Sequence, residues 1–143
     1  EPWKKAPEAE DALTEIGVLA YLARQPDRCT HILKMHDVFA EEGFAWLVTE
    51  FADGGDLFDV ASAGRVPEDR LRRYASQLLR AVEYLHRHRI GHRDISLENV
   101  LVKDGGLRVM DFGMSVCSHS ASGVLLRFFR AVGKDYYRAP EVY

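Results

Sequence analysis

Between Pro67 and His88 apolar residues return three and four positions apart: Leu71, Tyr74, Ala75, Leu78, Leu79, Val82 and Leu85, with Arg and Glu between them. That spacing is the period of an α-helix with one apolar stripe, and Pro67 suits a first helical turn, where its missing N–H is no loss. Such a helix cannot cover its own stripe, so the rest of the chain must supply a partner surface. At 143 residues with 47% hydrophobic content there is material for one core. The stripe from Leu71 to Leu85 is expected to lie in it.

The flanking segments set the fold class. Residues 10–22 place Ile16, Leu19, Tyr21 and Leu22 near one face at helical period, with acids at the start, and predict a helix. The β-rich runs 32–39 and 44–49 flank Ala40-Glu41-Glu42-Gly43 and predict an antiparallel hairpin. Asp53-Gly54-Gly55-Asp56 is a breaker cluster where the chain can cross to a second packing unit. After the long helix, Val100-Leu101-Val102 and 107–110 predict a second hairpin around Lys103-Asp104-Gly105-Gly106. Residues 114–138 lack periodicity and read as one long loop, a length usually reserved for function. The expected class is α+β.

Bulk properties exclude several roles. The net charge of −3 and pI near 6.1 supply no field for nucleic acid. Cys29 and Cys117 form no CxxC pair and have no histidine at ligand spacing, so neither a disulfide framework nor a zinc site is expected. No apolar run reaches the ~18 residues of a membrane span, and residues 1–5 lack a signal-peptide pattern. A soluble protein of a reducing compartment, cytoplasmic or nuclear, is the expectation. The first residue is not Met, which suggests a chain that begins inside a longer sequence.

The chemistry gathers at His92-Arg93-Asp94-Ile95-Ser96-Leu97-Glu98-Asn99 and at Asp111. A hairpin between them returns the chain on itself, so Asp94, Asn99 and Asp111 should end near one another. A carboxylate and an amide oxygen are hard donors that suit Mg²⁺, which binds few protein ligands and completes its shell with phosphates and water. A further carboxylate can orient a hydroxyl. Phosphoryl transfer asks little more of a protein than such positioning and charge neutralisation.

The order His92-Arg93-Asp94, Asp111-Phe112-Gly113 and Ala139-Pro140-Glu141 resembles the signature set of the eukaryotic-type protein kinases, of serine/threonine type. The resemblance implies a partial kinase-like fold: residues 1–50 the remainder of a small lobe, residues 51–143 a hinge and the first part of a mainly helical large lobe. It implies that ATP and Mg²⁺ are bound and that a protein hydroxyl is the acceptor. Asp94 would be the catalytic base, and Asn99 and Asp111 the metal ligands. Thr49 would be the gatekeeper, Glu50 and Ala52 would bond adenine through their backbones, Asp56 would reach the ribose and Leu101 would underlie the ring. Glu15 fits the helix glutamate that pairs with a strand lysine. Leu19, Met35, His92 and Phe112 would stack as a hydrophobic column.

Several positions depart from the family pattern. No glycine-rich phosphate loop or Val-Ala-Ile-Lys strand precedes Glu15, and Lys4 and Lys5 sit in a proline-broken segment. Little turnover is therefore expected of the chain alone. Ser96 stands where Ser/Thr kinases carry Lys, and Lys134 where they carry Thr. Lys134 then joins the catalytic set by an exchange of lysine and hydroxyl across one contact, placing a cation beside the transferred phosphoryl; drift in a weakened enzyme is the plain alternative. Arg93 suggests a slot for a loop phosphate, yet the expected phosphosite is Arg130, with Ser115, Ser118, Ser120 and Ser122 the available hydroxyls. Those serines, on a loop, are expected to face solvent, while Phe128-Phe129 is expected to pack beneath it. His86, His88 and His92 are read as structural, not as metal ligands. The rival function is a pseudokinase or scaffold fragment that binds partners without turnover.

Overall fold

A computed structural model of the chain describes residues 11–142. Lys4 and Lys5 therefore lie outside the described residues. Helix α1 (Ala12–Ala23) starts where Asp11 caps it, its carboxylate accepting from the Leu13 N–H at 3.2 Å and the Thr14 hydroxyl at 3.0 Å. Its Leu19 and Leu22 are buried. Strands β1 (Met35–Glu41) and β2 (Phe44–Thr49) follow as an antiparallel hairpin. The turn is tighter than the sequence suggests: Glu42 and Gly43, at φ 50° and 83°, close it alone.

Residues 32–34 are not part of that hairpin. The Leu33 N–H donates to the Val109 carbonyl at 2.9 Å and the Val109 N–H donates to the His31 carbonyl at 2.8 Å, so Ile32 runs parallel to a distant strand instead. This strap ties the segment after α1 to β5 (Gly106–Val109), which pairs antiparallel with β4 (Val100–Lys103).

Helix α2 (Leu57–Ser62) is capped by Asp56. Helix α3 (Glu68–Arg87) is the long amphipathic helix, with Pro67 as its N-cap residue. Only part of its stripe is core. Tyr74, Ala81, Tyr84 and Leu85 are buried, whereas Leu71 is 51% and Leu79 69% exposed. At 3.6 residues per turn, the arc of Leu71, Ala75 and Leu79 centres roughly 100° round the helix from the line through Tyr74, Ala81 and Leu85. The partner surface formed by β3 (Ile90–Gly91) and β5 covers the second arc, and Gln77 on that side accepts the Leu107 N–H at 2.9 Å.

One buried cluster joins the two halves: Leu19, Leu22 and Ile32 meet Tyr84, Leu85, Val100, Val109 and Phe112. The 114–138 segment carries only the two-residue β6 (Val116–Cys117), paired with β3, and a short 3-10 turn at Asp135–Tyr137.

Candidate active site

The base loop is held from both sides. His92 is buried, and its Nε2 lies 2.9 Å from the Met110 carbonyl while its Nδ1 lies 3.3 Å from the Asp94 amide nitrogen. An imidazole protonated on Nε2 alone satisfies both bonds, since Nδ1 must accept. Burial holds its pKa below the usual histidine value of 6.5, despite the Met110 carbonyl and the nearby Asp111 and Asp94 carboxylates. Its ring packs 5.0 Å from that of Phe112. Leu19 and Phe112 belong to the same buried cluster and Met35 packs against it, so the four expected column residues gather around one core.

Asp94 is 7% exposed, and each carboxylate oxygen accepts one hydrogen bond. Its Oδ1 accepts the Lys134 backbone N–H at 3.0 Å and its Oδ2 accepts the Asn99 side-chain amide at 2.9 Å. That amide also donates to the Asp94 carbonyl at 2.9 Å. With its NH₂ committed twice, Asn99 presents Oδ1 as its outward acceptor. The Met110 N–H donates to the Asn99 carbonyl at 3.0 Å, which brings the chain carrying Asp111 alongside. Asp111 is half-buried at φ 62°, an uncommon conformation for a non-glycine, and its Oδ1 accepts the Gly113 N–H at 3.3 Å.

The Lys134 ammonium sits over this group. Its Nζ donates to the Ser96 hydroxyl at 2.8 Å and lies 3.5 Å from Asn99 Oδ1, 3.8 Å from Asp94 Oδ2 and 4.0 Å from Glu98 Oε2. Ser96 is buried at 3% exposure, while the Lys134 side chain is 39% exposed. Glu98 is held below the usual carboxylate pKa by its own backbone N–H first, with Ser96, Lys134 and Tyr137 adding to it.

Two neighbours escaped the sequence reading. Gly133 lies at φ 85°, and a Cβ there would stand 2.5 Å from the Arg93 carbonyl oxygen and 3.2 Å from Asp94 Oδ1, so only glycine lets this backbone pass the base. Arg138 clasps the same turn, its guanidinium donating to the Val132 and Gly133 carbonyls at 2.6–3.0 Å. The one available signal was a glycine directly before Lys134.

The hinge residues line a separate edge. Thr49 faces Met35 across β1–β2. The Glu50 N–H donates to the Lys34 carbonyl at 2.9 Å, and its carboxylate accepts from Arg108 Nε at 3.2 Å. Ala52 is half-buried. The Gly54 N–H donates to the Val102 carbonyl at 2.9 Å, and a Cβ on Gly54 would be 2.8 Å from Val102, so the crossing chain is strapped directly onto β4. Asp56 bridges Leu101 on that strand, but its Oδ1 also caps α2 through the Asp59 N–H at 2.8 Å.

The long loop corrects several expectations. Ser115 is buried, its hydroxyl directed to the His92 carbonyl at 3.5 Å, because the loop start packs under the base loop. Ser122 is exposed as expected; the half-buried Ser118 donates to the Arg89 carbonyl at 3.1 Å, and Ser120 and Ser122 bond each other at 2.8 Å within a turn. Arg93 donates to the Arg130 carbonyl at 2.6 Å and lies 5.5 Å over the Phe128 ring. Phe128 thus packs in part, but Phe129 is 93% exposed. His88 meets Tyr21 and Asp27, away from His92.

No group of three or more His, Cys, Asp or Glu able to hold a metal occurs among the described residues. A cation at Asn99 Oδ1 and Asp111 would take the rest of its shell from phosphates and water, the habit of Mg²⁺. The donor set fits that ion. The structure joins Asp94, Asn99 and the Lys134 ammonium directly, and Asp111 follows Met110, whose N–H bonds the Asn99 carbonyl.

The chain belongs to the protein kinase domain family, whose model matches residues 2–143. It is 39% identical over 133 residues to the CBL-interacting serine/threonine-protein kinase 7 of Arabidopsis thaliana, covering 91% of this chain and 29% of that protein. It is 41% identical over 117 residues to the carbon catabolite-derepressing protein kinase of Candida tropicalis, covering 80% of this chain and 18% of that one. The chain spans less than a third of the length of these relatives. They mark it as serine/threonine-type by resemblance. No helix among the described residues is long and apolar enough to cross a membrane.

Proposed function

We propose that the chain forms the catalytic centre of an enzyme that moves the γ-phosphoryl of ATP onto serine or threonine hydroxyls of a protein substrate. Residues 1–50 form the remainder of its small lobe and residues 51–143 the hinge and first part of the large lobe. Asp94 accepts the hydroxyl proton; the bonds from Asn99 and the Lys134 backbone aim its carboxylate and leave each oxygen a lone pair. Asn99 and Asp111 would hold Mg²⁺, which would supply charge neutralisation on the phosphates. Thr49, Glu50, Ala52, Asp56 and Leu101 frame the adenosine, with Asp56 keeping Oδ2 for the ribose.

Lys134 supplies the cation beside the transferred phosphoryl, the role for which Ser96 has no charge. The observation that carries this assignment is the 2.8 Å bond from the part-exposed Lys134 Nζ to the buried Ser96, with the buried Asp94 Oδ2 at 3.8 Å. A cation held there stabilises charge that develops on equatorial oxygens during transfer.

The test is Mg²⁺-dependent transfer of radiolabel from ATP to a serine/threonine-containing protein, measured on the full-length gene product. Transfer that disappears in Asp94→Asn is expected. Tight Mg·ATP binding with no transfer would overturn the reading in favour of a partner-binding pseudokinase.

A further inference from the structure

The loop that passes the base at Gly133 is an ordered surface before it gets there. It is anchored at both ends: the Ser118 N–H donates to the Arg89 carbonyl at 2.7 Å, and Arg93 donates to the Arg130 carbonyl at 2.6 Å. Between the anchors the chain turns on itself, the Ser120 N–H donating to the Val124 carbonyl and the Leu126 N–H to the Ser118 carbonyl, each at 2.8 Å. A surface held in this way loses little freedom when a partner binds.

Two kinds of side chain share that surface. Val124, Leu125 and Phe129 are exposed, an apolar set that a partner would remove from water. Arg127 and Arg130 stand among them, also exposed, with no ion pair to any described residue. Residues 112–134 carry Arg127, Arg130 and Lys134 and not one Asp or Glu, in a chain whose net charge is −3. The next acid, Asp135, is bound to Arg138 at 2.8 Å. Burial holds the Arg93 guanidinium below its ordinary pKa and the charge of Arg130 lowers it further, so these two cations repel with no carboxylate to offset them.

From this combination we infer that residues 124–130 form a docking surface for the acceptor polypeptide, selecting sequences in which acidic and apolar residues flank the serine or threonine. The inference rests on the transfer reading proposed above and names its substrate class. Arg93 directly precedes the base Asp94, and Gly133 passes against the Arg93 carbonyl, so a hydroxyl presented to Asp94 brings its neighbouring residues onto this loop. Carboxylates there meet Arg127 and Arg130, and an apolar side chain covers Phe129. A basic sequence does not suit, because it adds like charge to guanidiniums that already repel.

The probe is a fluorescein-labelled peptide with one serine flanked by glutamates and leucines; its control carries lysine at each glutamate. Fluorescence anisotropy on the full-length gene product reads their binding without turnover. The glutamate peptide should bind at least about tenfold more tightly than the control, and rising salt should narrow the difference. Arg127→Glu together with Arg130→Glu should erase or reverse that preference. Arg127→Gln with Arg130→Gln should reduce it, and serves if the charge reversal fails to fold. Phe129→Ala should weaken the glutamate peptide about fivefold. Equal or tighter binding of the lysine peptide, or a preference unchanged in the arginine variants, would overturn the proposal. A preserved preference with no phosphoryl transfer would overturn the transfer reading while upholding the docking surface.

Discussion

Exchanging the two side chains at positions 96 and 134 tests the active-site assignment most directly. Lys134 Nζ lies 2.8 Å from Ser96 Oγ and 3.8 Å from Asp94 Oδ2. At an effective dielectric near 20, a charge pair at that second distance interacts by about 4 kcal/mol before desolvation. The lysine is 39% exposed, so solvent screening and the desolvation of Asp94 reduce the net to about 1–2 kcal/mol. Lys134→Thr should lose that amount. Ser96→Lys alone sets a second ammonium against the first and should destabilise by a similar amount. The double variant restores one ammonium facing one hydroxyl, so it should be more stable than the sum of the singles by about 2 kcal/mol. Urea denaturation of the four proteins measures this coupling. In the full-length gene product, Lys134→Thr should lower kcat about 10²-fold, the scale of a lost transition-state donor. The double variant should return to within about tenfold of the parent. Additive stabilities to within ~0.5 kcal/mol, with no catalytic rescue, would refute the exchange.

Gly133→Ala should destabilise by about 1–3 kcal/mol, since the added Cβ meets the Arg93 carbonyl oxygen at 2.5 Å from a φ of 85°; a urea midpoint equal to the parent's would count against this packing. For His92 the native pKa is lowered, so its contribution is complete above the unfolded value of 6.5 and is lost as pH falls from there through the native pKa. Protonating Nδ1 also removes the acceptor of the Asp94 N–H, so chemical stability measured between pH 8 and 5 should decline below about 6.5, and less steeply in His92→Gln. Tyr84→Phe removes a buried, unpartnered hydroxyl and should raise stability by about 1 kcal/mol; a destabilised variant would indicate that the hydroxyl is already paired.

Much of the architecture was legible because it rests on local rules. The helix around Leu19 and Leu22, the long helix, both hairpins and the breaker at Asp53-Gly54-Gly55 follow from period, turn chemistry and capping, all properties of neighbouring residues. The roles drawn for Asp94, Asn99 and Asp111 came from motif order, and their adjacency followed from the hairpin between them. What neighbours cannot specify is the direction from which a distant surface arrives. Both arcs of α3 are apolar, and only the position of β3 and β5 decides that Tyr74 and Ala81 are buried while Leu71 and Leu79 are not.

The same reason separates the remaining successes from the misses. Residue type alone determined that a glycine precedes Lys134 and that Ser96 and Lys134 depart from the family pattern together. Packing between distant segments is what makes Gly133 pass so close to the Arg93 carbonyl that a Cβ would stand 2.5 Å from its oxygen, turns Ser115 inward and leaves Phe129 in water. It also brought residues 38 positions apart into a 2.8 Å bond and buried the Tyr84 hydroxyl without a hydrogen-bond partner among the described residues. Side-chain chemistry is written residue by residue; the contacts that employ it depend on close packing between segments far apart in the chain.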